Sequence, residues 1–392
     1  MSFFNQRGLT AEQFLRDYWQ QQPLLLRQAF PNFEPELDAD DIAGLACDEL
    51  AEARLITGGF PQHDWSVRYG PFSEEDFATL PSREWTLLVQ DVEKHYPPLR
   101  SLIASFNFLP SWRIDDLMVS VAGPGGSVGP HVDQYDVFLL QAAGRRRWEI
   151  STSFDPGLLP ECELNVLQKF EAEQAWDLEP GDMLYLPPGV AHHGLAKDPQ
   201  EGVPGMDGTP VMCMTWSIGM RAPSAADLMQ ALGEWLTRAP DEGGRYRDPG
   251  FAFSTRPGEV DGFACEGMRD LLRPVIEDPD RFAVFLGAFL SRYRLAHEPA
   301  PPRQPIEPAE LREALERGAV LHHNPWTRLT WLETSGGVHL FAAGSAYPCD
   351  AGMAATLCDA ERLHATPLKQ LEGSLDLLSE LINRGHLIIE TL

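Results

Sequence analysis

The chain has 392 residues, enough for two or three domains with separate cores, and its 43% hydrophobic content is that of an ordinary globular protein. A formal net charge of −27, spread along the chain, excludes the basic face of a nucleic-acid binder and suits a cationic protein partner. Six scattered cysteines without a Cys-x-x-Cys pair, no apolar signal core and no run long enough for a bilayer predict a reduced, cytoplasmic setting without a membrane anchor.

Thr10-Ala-Glu-Gln13 reads as a capping box that opens a helix through Phe14, Leu15 and Tyr18, ended by Pro23. Residues 23–27 read as a short buried strand, residues 38–55 have helical spacing, and residues 65–71 alternate like a strand. Helical apolar patterns cover residues 85–92 and 99–106. Short strands separated by Gly/Pro turns are then expected at 117–122, 131–140, 146–151, 175–178, 183–186, 192–196 and 211–218. That succession predicts a jelly roll, or double-stranded β-helix, with helices packed outside it, hence a mixed α+β fold.

The composition changes after Arg221. Ser224-Ala-Ala-Asp227 caps a helix bearing Leu228, Leu232, Trp235 and Leu236, and helices over 263–276 and 278–295 follow. Their wide apolar stripes suit a self-contained bundle or a homodimer interface. Residues 298–308 form a proline-rich linker. Beyond it come a helix at 309–317, strands at 320–323, 328–333 and 338–343, a helix at 367–383 and a strand at 387–390, the order of a winged-helix-like domain. His322 and His323 read as surface residues. The expected division is a catalytic domain at 1–221, a helical dimerisation segment at 222–302 and a winged-helix-like domain at 303–392.

Chemistry concentrates in two stretches. A Gly/Pro-rich loop precedes His131-Val132-Asp133, the only His-x-Asp in the chain, and strand alternation puts both side chains on one face. About fifty residues later Gly181-Asp182 and Pro187-Pro188-Gly189 frame a hairpin whose far strand begins near His192. An imidazole from that strand completes two His and one carboxylate, a facial set that favours non-haem Fe(II) and O2 chemistry. Arg146 shares parity with Trp148 and Ile150, so its cation points into the core. It needs a carboxylate there, from an internal Asp or Glu or from a bound dicarboxylate. Tyr135 and Asp136, just past the metal pair, offer an aromatic wall and an anion for a guanidinium.

Residues 109–118 (Leu-Pro-Ser-Trp-Arg-Ile-Asp-Asp-Leu-Met), 128–138, 144–148 and 178–192, in this order, resemble the bacterial ribosomal oxygenases, JmjC-type 2-oxoglutarate oxygenases of the cupin fold. The resemblance covers nearly the whole chain. It implies that His131, Asp133 and His192 bind Fe(II), with His193 a rival that the spacing after Pro-Pro-Gly disfavours. It also implies that Arg146 takes the distal carboxylate of the cosubstrate 2-oxoglutarate. The family's hydroxyl before the Gly loop falls on Ala122 here, and Ser120 is the nearest hydroxyl on that face. The implied reaction is O2-dependent hydroxylation of an arginine β-carbon in a basic large-subunit ribosomal protein, L-sixteen. The alternatives are hydroxylation or demethylation of another residue, separable by formaldehyde release, and a non-catalytic cupin-like module that binds basic proteins.

Overall fold

The alternation between residues 114 and 220 resolves into two β-sheets whose apolar faces meet. The structure is a computed structural model that describes residues 4, 8–60, 62, 64–199, 211–238, 244–247, 258–293, 299–359, 362–363 and 374–390. The chain divides into two compact units, Met1–Ala222 and Pro223–Leu392.

In the first unit the strands are β1 (Leu24–Leu26), β2 (Ala53–Thr57), β3 (Ser66–Tyr69), β4 (Trp85–Val89), β5 (Ile114–Ala122), β6 (His131–Val132), β7 (Val137–Ala143), β8 (Arg146–Ser151), β9 (Gln174–Leu178), β10 (Met183–Leu186), β11 (Ala191–Ala196) and β12 (Cys213–Met220). Helices α1 (Ala11–Asp17), α2 (Ala39–Leu45), α3 (Glu74–Ala78), α4 (Val92–His95) and α5 (Arg100–Ile103) accompany them. Thr10 caps α1 through the expected reciprocal box with Gln13. An eight-stranded antiparallel sheet runs β1-β10-β7-β12-β5-β4-β2-β3, and a four-stranded one runs β6-β11-β8-β9.

Two helical expectations fail. Residues 85–89 form β4, paired with β5 and β2, because a short continuous apolar run suits a buried strand as well as a helix and the neighbouring edges decide. The helix expected over 38–55 stops at Leu45, and Leu55 sits in β2. The strand expected at 131–140 is also broken, into β6 and β7, by the turn that carries Asp133 and Tyr135.

Alternation sorts the large sheet into two faces. Val119, Val121, Phe138, Leu140, Tyr185, Met214 and Trp216 look outward and pack with Phe14 of α1 and Ile42 of α2. Val137, Leu139, Leu184 and Leu186 look inward and meet Trp148, Ile150 and Leu178 of the small sheet. Each such aliphatic or aromatic side chain stabilises the fold by roughly 1.5–3 kcal/mol on full burial. The jelly roll is therefore lined by apolar residues except where polar ones interrupt the inward parity.

In the second unit α6 (Ala225–Leu236), α7 (Gly262–Glu277) and α8 (Pro279–Leu290) share a cluster centred on Leu232, Val275 and Phe285. The winged-helix domain comprises α9 (Pro308–Glu316), β13 (Val320–His323), β14 (Leu329–Thr334), β15 (Gly337–Ala342), β16 (Ser345–Cys349), α10 (Ala351–Asp359), β17 (Arg362–Leu363), α11 (Leu375–Asn383) and β18 (Leu387–Glu390). β16 and α10 were not expected, and the first half of the helix expected over 367–383 lies largely outside the described residues. His322, on β13, is held by the Glu390 carboxylate at 2.7 Å.

Candidate metal centre and cosubstrate pocket

His131 on β6 stands directly opposite His192 on β11, so two neighbouring strands present their imidazoles with ring centroids 4.2 Å apart. Each ring is set by the backbone carbonyl two residues before it. His131 Nδ1 lies 2.9 Å from Gly129 O, and His192 Nδ1 lies 3.0 Å from Val190 O. A carbonyl only accepts, so each Nδ1 carries the proton and donates, and each Nε2 keeps its lone pair.

Both Nε2 atoms face Asp133, at 3.9 Å from Oδ1 and 3.6 Å from Oδ2. These separations are too long for hydrogen bonds but suit three donors around one cation at roughly 2.1 Å from each. The three ligand atoms lie within 4.8 Å of one another. Gly189 N–H donates to the Asp133 carbonyl at 2.8 Å, tying the carboxylate's backbone to the turn that carries His192. Burial, then the nearby His131, pushes the His192 pKa down to about 4, which keeps its imidazole neutral and ready to ligate. His193 looks the other way. It pairs across the ladder with Glu149 and is flanked by Phe60 and Phe170, on the outer face of the small sheet.

Farther along the same barrel Arg146 is only 3% exposed, with its guanidinium 5.8 Å from the Trp148 ring centre. Its Nε and Nη2 atoms are buried without a hydrogen-bond partner. An unpaired buried guanidinium costs several kcal/mol, so this one is shaped for an anion that enters from outside. Ser120, Gln141 and Thr215 share the inward parity of their strands. The Ser120 hydroxyl donates to Thr215 O at 3.3 Å, and the Thr215 hydroxyl donates to Gln141 Oε1 at 3.0 Å. Ala122, Ala196 and Cys213 form a small apolar patch beside them, with Ala196 directly opposite Arg146.

Tyr135 is 41% exposed beside the triad, whereas Asp136 is fully buried. Its carboxylate accepts from Tyr185 Oη at 2.6 Å, Arg113 Nη2 at 2.9 Å and Gln20 Nε2 at 3.0 Å, so it is a structural tie and not an anion displayed to a ligand. A different carboxylate has the inward parity: Asp116, two residues before Met118 and four before Ser120 on β5. Gln90, oriented by its partners, donates to Asp116 Oδ2 at 2.6 Å and accepts from Arg54 Nη2 at 3.2 Å. Burial, reinforced by Glu93, Asp91 and Asp115, raises the Asp116 pKa well above the usual range. Counting back in twos from Ser120 would have found this residue in the sequence.

Residues 101–228 match the JmjC domain family, and residues 274–388 match the ROXA-like winged helix. The chain is 36% identical to the ribosomal protein uL16 3-hydroxylase of Escherichia coli over 309 residues, 79% of this chain and 78% of that one. It belongs to the bacterial ribosomal oxygenase family. A probable ribosomal oxygenase of Haemophilus influenzae is 39% identical over 230 residues, 58% of this chain and 53% of its own. The solved structure of the E. coli ribosomal oxygenase YcfD in complex with cobalt and 2-oxoglutarate superposes with a TM-score of 0.81 at 32% identity, covering 98% of this chain and 99% of that one. The fold of this family member is thus a JmjC jelly roll followed by a winged helix. Among its described residues no helix is long and apolar enough to cross a membrane.

Proposed function

We propose that the chain is an Fe(II)- and 2-oxoglutarate-dependent hydroxylase of ribosomal protein uL16 that acts on the β-carbon of an arginine. The observation that carries this reading is the orphaned guanidinium of Arg146, buried in the same barrel as the His131, Asp133 and His192 cluster. Arg146 stands opposite Ala196, four residues along β11 from His192, or about 13 Å of strand. The arginine's long stem and a five-carbon diacid span that gap together. The two-His, one-carboxylate set suits Fe(II) with positions left open. Bound there, the metal with 2-oxoglutarate and O2 supplies the oxidation that turns C–H into C–OH, with succinate and CO2 as coproducts.

The remaining work belongs to the chain. Arg146 holds the distal carboxylate, and Ser120 and Thr215 present oxygen atoms beside it on the inward face. Ala122, Ala196 and Cys213 line that region with apolar surface. Tyr135 forms a wall at the opening, and Asp116 is the carboxylate for the substrate guanidinium. Asp91, Glu93 and Asp116 place three acids around buried Lys94, a surplus of negative charge that a substrate cation offsets.

A ribosomal substrate places the activity in the cytoplasm, and the acidic surface suits a basic protein without direct binding to nucleic acid. We assign residues 222–302 as a homodimerisation segment between the catalytic domain (1–221) and the winged-helix domain (303–392), because α7 exposes Met268, Leu272 and Ile276 along one side.

The test is to incubate the protein with Fe(II), 2-oxoglutarate and ribosomal proteins from cells lacking it, and to read masses. One added oxygen on uL16, absent with His131→Ala and after chelation, is expected. Formaldehyde release in place of a retained oxygen would replace hydroxylation by demethylation. No 2-oxoglutarate turnover at all would sink the oxygenase reading.

A further inference from the structure

The segment 133–136 is short, and both ends of it are tied down. At one end Gly189 N–H holds the Asp133 carbonyl, and His131 pairs with His192 across the ladder. At the other end Asp136 is fully buried and draws partners from β10, β12, the turn before β5 and the N-terminal segment. Its carboxylate accepts from Tyr185 of β10, from Arg113 just before β5 and from Gln20 beyond α1. Its carbonyl accepts from Met220 N at the end of β12, at 2.9 Å. The partners are themselves fixed: Tyr185 Oη accepts from Gln20 N at 2.7 Å, and Arg113 donates to Arg221 O and stacks on Trp19 and Trp112. Tyr135 lies between the two ties and has little backbone freedom left.

We propose that Asp136 is a positioning residue whose buried ties hold Tyr135 at the mouth of the site and so set affinity for the protein substrate. This rests on the reading of Tyr135 as a substrate wall. The ion pair of fully buried Asp136 with largely buried Arg113 has a purpose beyond stability, because a well-packed apolar pair of similar volume holds a fold at least as well. What the pair supplies is direction. A carboxylate with three donors admits one orientation, and the neighbouring residue inherits it. Arg146 lies on β8 outside the clamp, and Gly189 N–H anchors Asp133 separately from the Asp136 ties, so loosening Asp136 should leave cosubstrate affinity little changed.

The test is a double-mutant cycle on the full-length, metal-loaded enzyme: wild type, Asp136→Asn, Tyr135→Ala and the double variant, with KM for uL16 and for 2-oxoglutarate measured separately. Asp136→Asn should raise KM for uL16 about tenfold, leave KM for 2-oxoglutarate within about twofold, and add nothing to Tyr135→Ala in the double variant. Additive losses, or a fall in active enzyme and Tm with both KM values unchanged, would overturn the proposal, since a merely structural tie behaves that way. If Asp136→Asn does not fold, Tyr185→Phe removes one tie from outside the segment and must show the same KM split. Absence of uL16 turnover by the wild type would instead sink the functional reading, and the wall with it.

Discussion

Gly194 stands directly across from Trp148 in the β8–β11 ladder, and the indole fills the space that a side chain at 194 would need. An ideal Cβ there would lie 2.7 Å from two ring atoms. The same ring lies with its centre 5.9 Å from that of His192, so the missing side chain lets Trp148 pack between the metal cluster and Arg146. Gly194→Ala should destabilise the fold by about 1–3 kcal/mol through overpacking. It should also weaken Mn(II) binding measured by calorimetric titration. An unchanged Tm would show that the ring moves aside freely.

Arg146 separates binding from folding. Because its guanidinium is buried without a partner, Arg146→Met should leave Tm in the absence of cosubstrate unchanged or raise it. The same variant should lose the Tm increase that 2-oxoglutarate gives the wild type, and KM for 2-oxoglutarate should rise by about two orders of magnitude. Thermal scans with and without the diacid decide the point. A retained ligand-induced shift would place the carboxylate elsewhere.

Glu93 makes stability depend on pH. Burial raises its pKa from 4.5 to about 6, and its Oε2 accepts from Leu117 N at 2.9 Å. The folded state therefore holds the proton more tightly than the unfolded one. The stability this contributes is fully present below about pH 4.5 and is lost as pH rises through 6, a swing of about 2 kcal/mol. Glu93→Gln keeps an acceptor for Leu117 and removes the titration, so its advantage over wild type should grow between pH 4.5 and 7. Urea midpoints at those two values measure this, and parallel curves would exclude it.

The outer face of α7 gives a prediction about assembly. Met268, Leu272 and Ile276 are 50%, 46% and 43% exposed, spaced one turn apart along one side. Leu272→Glu should convert a dimer to a monomer in sedimentation, and its Tm should no longer rise with protein concentration as that of a dimer does. A wild type already monomeric at micromolar concentration would refute the assignment of residues 222–302.

Much of the site was legible because alternation is a backbone property. Arg146 in step with Trp148 and Ile150 and the inward parity of Ser120 follow from the pleat, whereas Asp133 sits in the turn just past β6 and reaches His131 through that turn. The choice of His192 over His193 also follows from spacing, and the structure turns the two rings to opposite faces. Asp136 shows the limit: adjacency to Tyr135 suggested a displayed anion, yet Tyr185, Arg113 and Gln20, remote in sequence, enclose it.

The chain's own order of residues determined its helix caps, its ligand types and the inward parity of Arg146 and Ser120, since these depend on local geometry and on the chemistry of each side chain. Tertiary structure alone decided whether Trp85–Val89 became strand or helix, that Asp136 was enclosed, and which buried charge went unpaired. Those outcomes depend on pairing edges and on partners up to 165 residues apart, as for Tyr185 and Gln20, and no local pattern encodes them.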